Sequence, residues 1–332
     1  MNKKTKKIIF SDIEHFYLIG GGLNMLFFAK KLKKKFKAKV FILTTFSHAT
    51  ELYKNTTYEQ LIKESKIDFK VAKNENNFLK SLKIENAIAF CFGPKNIFLK
   101  SVVKKFNFGI YNINPIPIPF YLGGAHFSWQ ILNSNYDAGI FLQQISNKLD
   151  RGPILLFKKF KVRKSVHFPI DYFKEYEPKI KEFLLQIIQN LKKKNKFDVK
   201  MHDEIYSKSI YFPRLNSNIN GFINWDWGIK DIVKFINAFS YPYPGAKGFC
   251  KKKIFLIKEA SIYNKKKYHP FCSGIVLRKN KNFFVALKDG TLLIKKIYNE
   301  RNQDISKFIK QGDRFYTPQK ILEKALIYRQ KP

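Results

Sequence analysis

Residues 16–43 read Phe16-Tyr-Leu-Ile-Gly20-Gly-Gly-Leu-Asn-Met25-Leu-Phe-Phe-Ala-Lys30-Lys-Leu-Lys-Lys-Lys35-Phe-Lys-Ala-Lys-Val40-Phe-Ile-Leu43. An apolar run from Phe16 to Ile19 meets three glycines. Leu23 to Lys37 then places apolar residues at helical spacing against a lysine face, and Val40 to Leu43 is apolar again. The order is strand, tight turn, helix, strand. The alternation continues with a helix near Thr57 to Ser65, a short strand at Phe69 to Val71, a helix around Asn77 to Lys83 and a strand at Ala87 to Phe92. Parallel neighbours need a crossover, and helices supply it, so this rhythm predicts an α/β fold with a doubly wound, mostly parallel sheet. Gly20-Gly21-Gly22 is not a dinucleotide fingerprint. The third spaced glycine is missing, and Thr44-Thr45 stand where an acidic residue would meet a ribose. A tight strand-to-helix turn is the better reading of the three glycines.

The chain has 332 residues, enough for one large or two medium domains, and its 34 Phe and 17 Tyr exclude overall disorder. Cys91, Cys250 and Cys272 are too few and too scattered for a disulfide framework, which fits a reducing compartment. The basic run Met1 to Lys7 is followed by Ile8-Ile9-Phe10, but Ser11, Asp12 and Glu14 end that apolar stretch, so no secretory signal is expected. The longest uncharged stretch, 106–136, is interrupted by Asn, Pro and Gly. No membrane span is expected there, and a cytoplasmic location follows. Lys+Arg number 63 against 25 Asp+Glu, a formal net charge of +38. The lysines run from Lys3 to Lys331 and accompany heavy Asn, Ile and Phe usage, a compositional bias rather than a nucleic-acid face. A general attraction for anionic substrates remains.

Farther along, Pro169 to Lys196 reads as a helix that turns from acidic to basic, and Leu215 to Gly221 as linker. Asp231 to Phe239 is a short amphipathic helix closed by Ser240-Tyr-Pro-Tyr-Pro-Gly245. Short strands at Ile254–Ile257, Gly274–Leu277, Phe283–Leu287 and Thr291–Lys296 imply a small C-terminal all-β, barrel-like domain. The expected organisation is an α/β domain over 1–205, a linker and connecting helix over 206–245, and a β domain over 246–332.

The charge-free stretch is where chemistry is expected. Strand Gly109 to Asn112 runs into Asn112-Ile-Asn114-Pro-Ile-Pro-Ile-Pro-Phe120, then Gly123-Gly124 releases the chain into a helix starting near His126. Polar residues at the carboxyl end of a central parallel strand lie where open α/β sheets build their sites. A further strand, Ile140 to Ile145, precedes Leu149-Asp150-Arg151-Gly152-Pro153-Ile154-Leu155. Asn112 and Asn114 also suit the alternative of satisfying loop backbone groups, and Asp150 that of starting a turn beside Arg151. Trp129 has core spacing, Trp225 and Trp227 fit a hydrophobic joint between domains, and Arg214 either holds a phosphate or pairs at the surface. His15, His48, His167, His202 and His269 lack metal-ligand spacing.

Taken jointly, Asn112-x-Asn114-x-x-x-x-Pro119-x-x-x-Gly123-Gly124, the aromatic-containing helix and Leu149-Asp150-x-Gly152-x-Ile154 resemble the formyltransferase fold of methionyl-tRNA formyltransferase and the nucleotide-sugar N-formyltransferases. Phe92-Gly93-Pro94-Lys95-Asn96-Ile97-Phe98, Tyr211-Phe-Pro-Arg214, Ile223-Asn-Trp225 and Phe239 to Ala246 extend the resemblance over roughly Ile8 to Phe315. It implies transfer of a formyl group from 10-formyltetrahydrofolate to an amine. Asn112 matches the family's catalytic asparagine and Asp150 its catalytic aspartate. Phe92, Gly93, Pro94 and Ile97 match the loop lining the folate pocket, and Tyr211 and Arg214 fall in the substrate-binding linker. The acceptor is expected to be a nucleotide-linked amino sugar, because Tyr211 to Arg214 and Pro242 to Ala246 look closer to that branch. The alternatives are initiator tRNA and a formyltransferase-like binding protein without catalysis. A homodimer is left open.

The chain departs from the family pattern where the catalytic histidine stands, because that position is Asn114. An asparagine cannot accept a proton near neutral pH. Leu122 likewise replaces an arginine. His126, at the helix start, either supplies a displaced imidazole or packs and caps, since a helix N-terminus disfavours its cation. Water-mediated transfer with Asp150 as base, or loss of catalysis, are the remaining routes.

Overall fold

Every second element of the first half is a short apolar strand, and in the computed structural model these strands line up as one seven-stranded sheet. The structure describes residues 7–9, 12–117, 120–146, 152–194, 196–198 and 207–329. The strands are β1 (His15–Gly20), β2 (Lys39–Thr45), β3 (Asp68–Ala72), β4 (Ala87–Phe92), β5 (Ile110–Asn114), β6 (Asp137–Gln144) and β7 (Ile154–Lys161). Their order is β7-β6-β5-β4-β1-β2-β3. The pairs β1–β2, β2–β3, β1–β4 and β4–β5 are parallel, while β5–β6 and β6–β7 are antiparallel. The sheet is therefore α/β and mostly parallel, as the alternation requires, with an antiparallel edge.

The chain winds from β1 through β2 to β3, then returns to the other side of β1 with β4 and β5. The reversal of direction lies between β1 and β4. There the carboxyl ends of the two strands touch: Gly21 N donates to Phe92 O at 3.2 Å. Gly20 has φ +122, and a Cβ on it would stand 2.1 Å from Phe92 O, so only glycine allows this approach.

Helices cover both faces because the strands are apolar on both. On one, Tyr17, Ile19, Leu43, Ala87, Ala89, Cys91 and Ile110 pack with Leu79, Val102 and Phe106, supplied by α3 (Glu75–Ser81), α4 (Lys100–Val103) and the turn after it. The shorter α2 (Tyr58–Glu64) precedes them. On the other, α1 (Leu23–Lys35) buries Met25, Leu26, Phe28, Ala29 and Leu32 and leaves its lysines outside. Phe28 meets Phe90 edge-on at 5.2 Å, and Phe90 meets Tyr111 at 5.9 Å. Each such aromatic contributes roughly 1.5–3 kcal/mol by burial.

The chain divides into two compact units: 1–122, 137–161 and 175–210 form the first, and 123–136, 162–174 and 211–332 the second. The second contains α5 (His126–Leu132) and α7 (Ile229–Ala238); α6 (Pro169–Lys194) begins in it and continues in the first. Its antiparallel strands are β8 (Ala246–Cys250), β9 (Lys253–Ile257), β10 (Ala260–Asn264), β11 (Val276–Lys279), β12 (Phe283–Leu287) and β13 (Gly290–Ile294). β8 pairs with β9, and the others run β10-β13-β12-β11. β8 and β10 are strands in addition to the four expected from sequence. Their registers explain the omission, since Ala246, Lys247, Gly248 and Ser261 make weak local strand signals. Trp225, read from sequence as a joint between domains, is instead in the core of the second unit, 5.6 Å from Phe315 and 6.3 Å from Phe255 by ring centroids. Among the described residues no helix is long and apolar enough to cross a membrane.

Candidate active site

β5 alternates buried and half-buried residues: Tyr111 and Ile113 are buried, Asn112 and Asn114 half-buried. Successive side chains of a strand point to opposite faces, so the two asparagines share one face at the carboxyl end of a central strand. In register, Asn112 lies between Cys91 of β4 and Gln143 of β6, and Asn114 opposite Phe141. Cys91 is fully buried, and burial first, then the Glu75 charge, pushes its thiol well above the usual range. A carboxamide beside so apolar a wall is a fixed dipole of undiminished strength, with no protonation state to lose.

Phe92 directly follows Cys91, so the loop expected to take the folate leaves the sheet one residue beyond the partner of Asn112. Gly93 has open space where a Cβ would stand, and the Ile97 side chain is 54% exposed. The loop thus offers a clear approach to its backbone beside the half-buried Phe92 and the exposed Ile97.

Asp150 lies outside the described residues, as do the other members of 147–151. The two ends of that connection are described. Gln144 N donates to Pro153 O at 2.9 Å, and Gln143 Nε2 donates to Gly152 O at 3.1 Å. A Cβ on Gly152 would stand 1.6 Å from Gln144 O. Gly152, the first described residue after 147–151, is therefore held against Gln143, the residue of β6 that pairs with Asn112. Gln143, only 4% exposed, was missed from sequence. Its signal was the polar pair Gln143-Gln144 ending an apolar strand.

Three sequence stretches meet in the second unit. Gly124 N donates to Phe212 O at 3.3 Å, and Trp129 Nε1 donates to Pro213 O at 2.8 Å, with Trp129 and Phe212 rings 4.9 Å apart. Gly123 (φ +108) and Gly124 are required here: their Cβ atoms would stand 2.1 Å from Phe212 O and 2.9 Å from Arg214 Cβ. Tyr211 is 67% exposed, and Arg214 is exposed too. Tyr243 joins them; burial raises its phenol pKa, opposed by a hydrogen bond to Ser128 and the Arg214 charge. A guanidinium and two tyrosines on a glycine-backed ledge suit a planar or phosphorylated ligand.

His126 opens α5, its ring edge-on to Phe127 at 5.0 Å. Its Nδ1 is buried without a hydrogen-bond partner among the described residues. Burial lowers its pKa to about 4, so the ring is neutral at pH 7 and a weak proton acceptor. The unfolded chain, with a histidine near 6.5, binds more protons between those values, so stability falls as pH drops from about 6.5 to about 4. The loss attributable to His126 is expected to be on the order of 2 kcal/mol. Urea unfolding at pH 7, 5.5 and 4.5 checks this: His126→Asn is expected to flatten the pH dependence, and an unchanged slope would contradict it. Among the described residues no three His, Cys, Asp or Glu are grouped to hold a metal.

Residues 217–312 match the family model described as the formyl transferase C-terminal domain. The chain is 30% identical over 221 residues to methionyl-tRNA formyltransferase of Clostridium tetani, covering 66% of this chain and 68% of that protein. Its fold is similar to the N-formyltransferase from Helicobacter canadensis in complex with folinic acid and dTDP-3-aminofucose, at TM-score 0.62 and 18% identity, covering 85% of this chain and 99% of that one. It is also similar to WlaRD, a sugar 3N-formyltransferase solved with dTDP and 5-N-formyl-THF, at TM-score 0.63 and 18% identity, covering 86% and 98%. At these identities the two structures establish the fold.

Proposed function

The chain belongs to the formyltransferase family, and from that membership we propose that it moves a formyl group from 10-formyltetrahydrofolate to the amine of a nucleotide-linked amino sugar. The observation carrying this reading is the pairing of Asn112 with Cys91 in register, because it sets a neutral amide donor one residue from the loop at Phe92, Gly93 and Pro94. Relatives of known structure were solved with folinic acid or 5-N-formyl-THF, and the open space at Gly93 leaves the backbone of that loop accessible.

When bound, 10-formyltetrahydrofolate supplies an activated formyl carbon. As the acceptor nitrogen bonds to that carbon, negative charge grows on the formyl oxygen, and the Asn112 amide NH2 donates to it. The attacking nitrogen must shed a proton, and the N10 leaving group must gain one. Asn114 cannot take that proton, and His126, with its pKa lowered to about 4, is a weak base. Asp150 is left with the role of moving it, directly or through water. Asn114 keeps a supporting part, holding water or substrate by its amide on the same face as Asn112. Tyr211 and Arg214 bind the nucleotide portion.

Methionyl-tRNA as acceptor is the second reading, supported by the identity to the Clostridium tetani protein and by the +38 charge. The two separate in one assay. With 10-formyltetrahydrofolate as donor, a panel of dTDP- and UDP-linked amino sugars is expected to yield formylated product with weak salt dependence. Formylation of initiator methionyl-tRNA instead, with an affinity that falls steeply between 50 and 200 mM salt, would transfer the proposal to tRNA.

A further inference from the structure

We infer that Glu75 and Asn76 are positioning residues for the formyl donor, acting through the segment that follows β4; this rests on the assignment of residues 92–97 to the donor. Both open the seven-residue helix α3, where side chains usually reach water, yet Glu75 is 0% and Asn76 5% exposed. Each is turned inward beneath the loop. Glu75 Oε1 accepts a hydrogen bond from Lys95 N at 3.0 Å. Asn76 Nδ2 donates to Ile97 O at 2.9 Å, and Asn76 Oδ1 accepts from Leu99 N at 2.9 Å. Three bonds thus grip residues 95, 97 and 99 from below, across at least 20 residues of sequence.

The grip has a direction. Backbone groups of the alternate residues turn in to the clamp, while the side chains of Lys95, Ile97 and Leu99 are exposed, and Phe98 between them is sunk in the core at 9% exposure. A loop that only had to leave a strand end could bond its backbone to water. Here the backbone is fixed by buried side chains so that one surface, open at Gly93, faces outward in a set shape. The second carboxylate oxygen of Glu75 is buried with no hydrogen-bond partner among the described residues. A group left so is costly and calls for a reason beyond loop closure. A rigid donor surface is such a reason, since a loop held in its bound shape spares binding the cost of ordering it.

The test uses the full chain with folinic acid as probe, and the variants Asn76→Ala, Asn76→Asp and Glu75→Gln. Asn76→Asp keeps an acceptor for Leu99 N but turns an oxygen against Ile97 O, and Glu75→Gln keeps an acceptor for Lys95 N. Titration, steady-state kinetics, thermal melting and amide hydrogen exchange are measured together. Both Asn76 variants are expected to weaken folinic acid binding and raise the donor KM by roughly 10- to 100-fold, the cost of ordering a loosened loop on binding. The acceptor KM and the kcat at saturating donor stay near wild type, and the Lys95 and Leu99 amides exchange faster. Glu75→Gln is expected to lie between them and wild type. A loosened loop with unchanged folinic acid binding would overturn the positioning role. So would donor and acceptor constants that worsen together in step with lost thermal stability. A wild-type chain that binds no folinic acid would instead overturn the donor assignment itself, and the inference with it.

Discussion

Asn112→Ala is expected to lower kcat for formyl transfer by about 10²- to 10³-fold, the range found when one donor to a developing oxyanion is removed. The reason is local. The side chain is half-buried at the end of β5, beside a fully buried cysteine in register, so its amide dipole acts where water screens it little. Removing it takes away a hydrogen bond that strengthens only as charge grows on the formyl oxygen, which is why kcat rather than KM should fall. Folinic acid binding is expected to stay close to wild type, since the donor is proposed to bind at the loop beyond β4. The fold should survive, because a half-buried strand position tolerates alanine at about 1 kcal/mol. Initial rates with saturating donor, alongside a thermal melt, check the prediction. A variant with wild-type kcat would remove Asn112 from the chemistry.

Asp150→Asn is expected to cost about 10²- to 10⁴-fold in kcat, the scale of general acid–base catalysis. Its size follows from what surrounds the reaction. In a family member with a histidine at position 114, loss of one proton carrier leaves another. Here Asn114 cannot carry a proton, and burial lowers the pKa of His126 to about 4. The substitution preserves volume and removes only the charge, so the melting temperature should move little. Rates across pH 6 to 9 check it: the variant should be slow throughout, while His126→Asn should retain most of the wild-type rate. If His126→Asn were the slower of the two, the proton would have to pass through the imidazole.

The α/β alternation was legible because β1, β4 and β5 are short apolar runs closed by glycine or asparagine, and α1 between β1 and β2 sets its apolar residues against a lysine face. Such local signals survive folding because parallel strands are buried on both sides. The place of Asn112 was legible for the same reason: a polar residue ending an apolar strand marks the carboxyl end of β5, where it pairs with Cys91 and Gln143. Glu75, Asn76 and Gln143 were not. Each acts on backbone groups that are distant or hidden in a connection, and a side chain that bonds to backbone leaves no mark in the sequence of its partner. The grouping of 123–136 and 162–174 with the C-terminal residues was hidden likewise. It depends on Gly123 and Gly124 accepting the backbone of 212–214 at distances that no composition shift reports. β8 and β10 escaped notice because their apolar alternation is broken by lysine, glycine and serine.

The central claim is that Asn112 and Asp150 serve one reaction in one pocket. A double-mutant cycle on kcat tests it most directly, comparing Asn112→Ala, Asp150→Asn and the pair in single-turnover formyl transfer from 10-formyltetrahydrofolate. Groups that act as a unit are strongly non-additive, so the pair is expected to be little slower than the slower single variant. Full multiplication of the two losses, or a single variant with wild-type turnover, would contradict the claim.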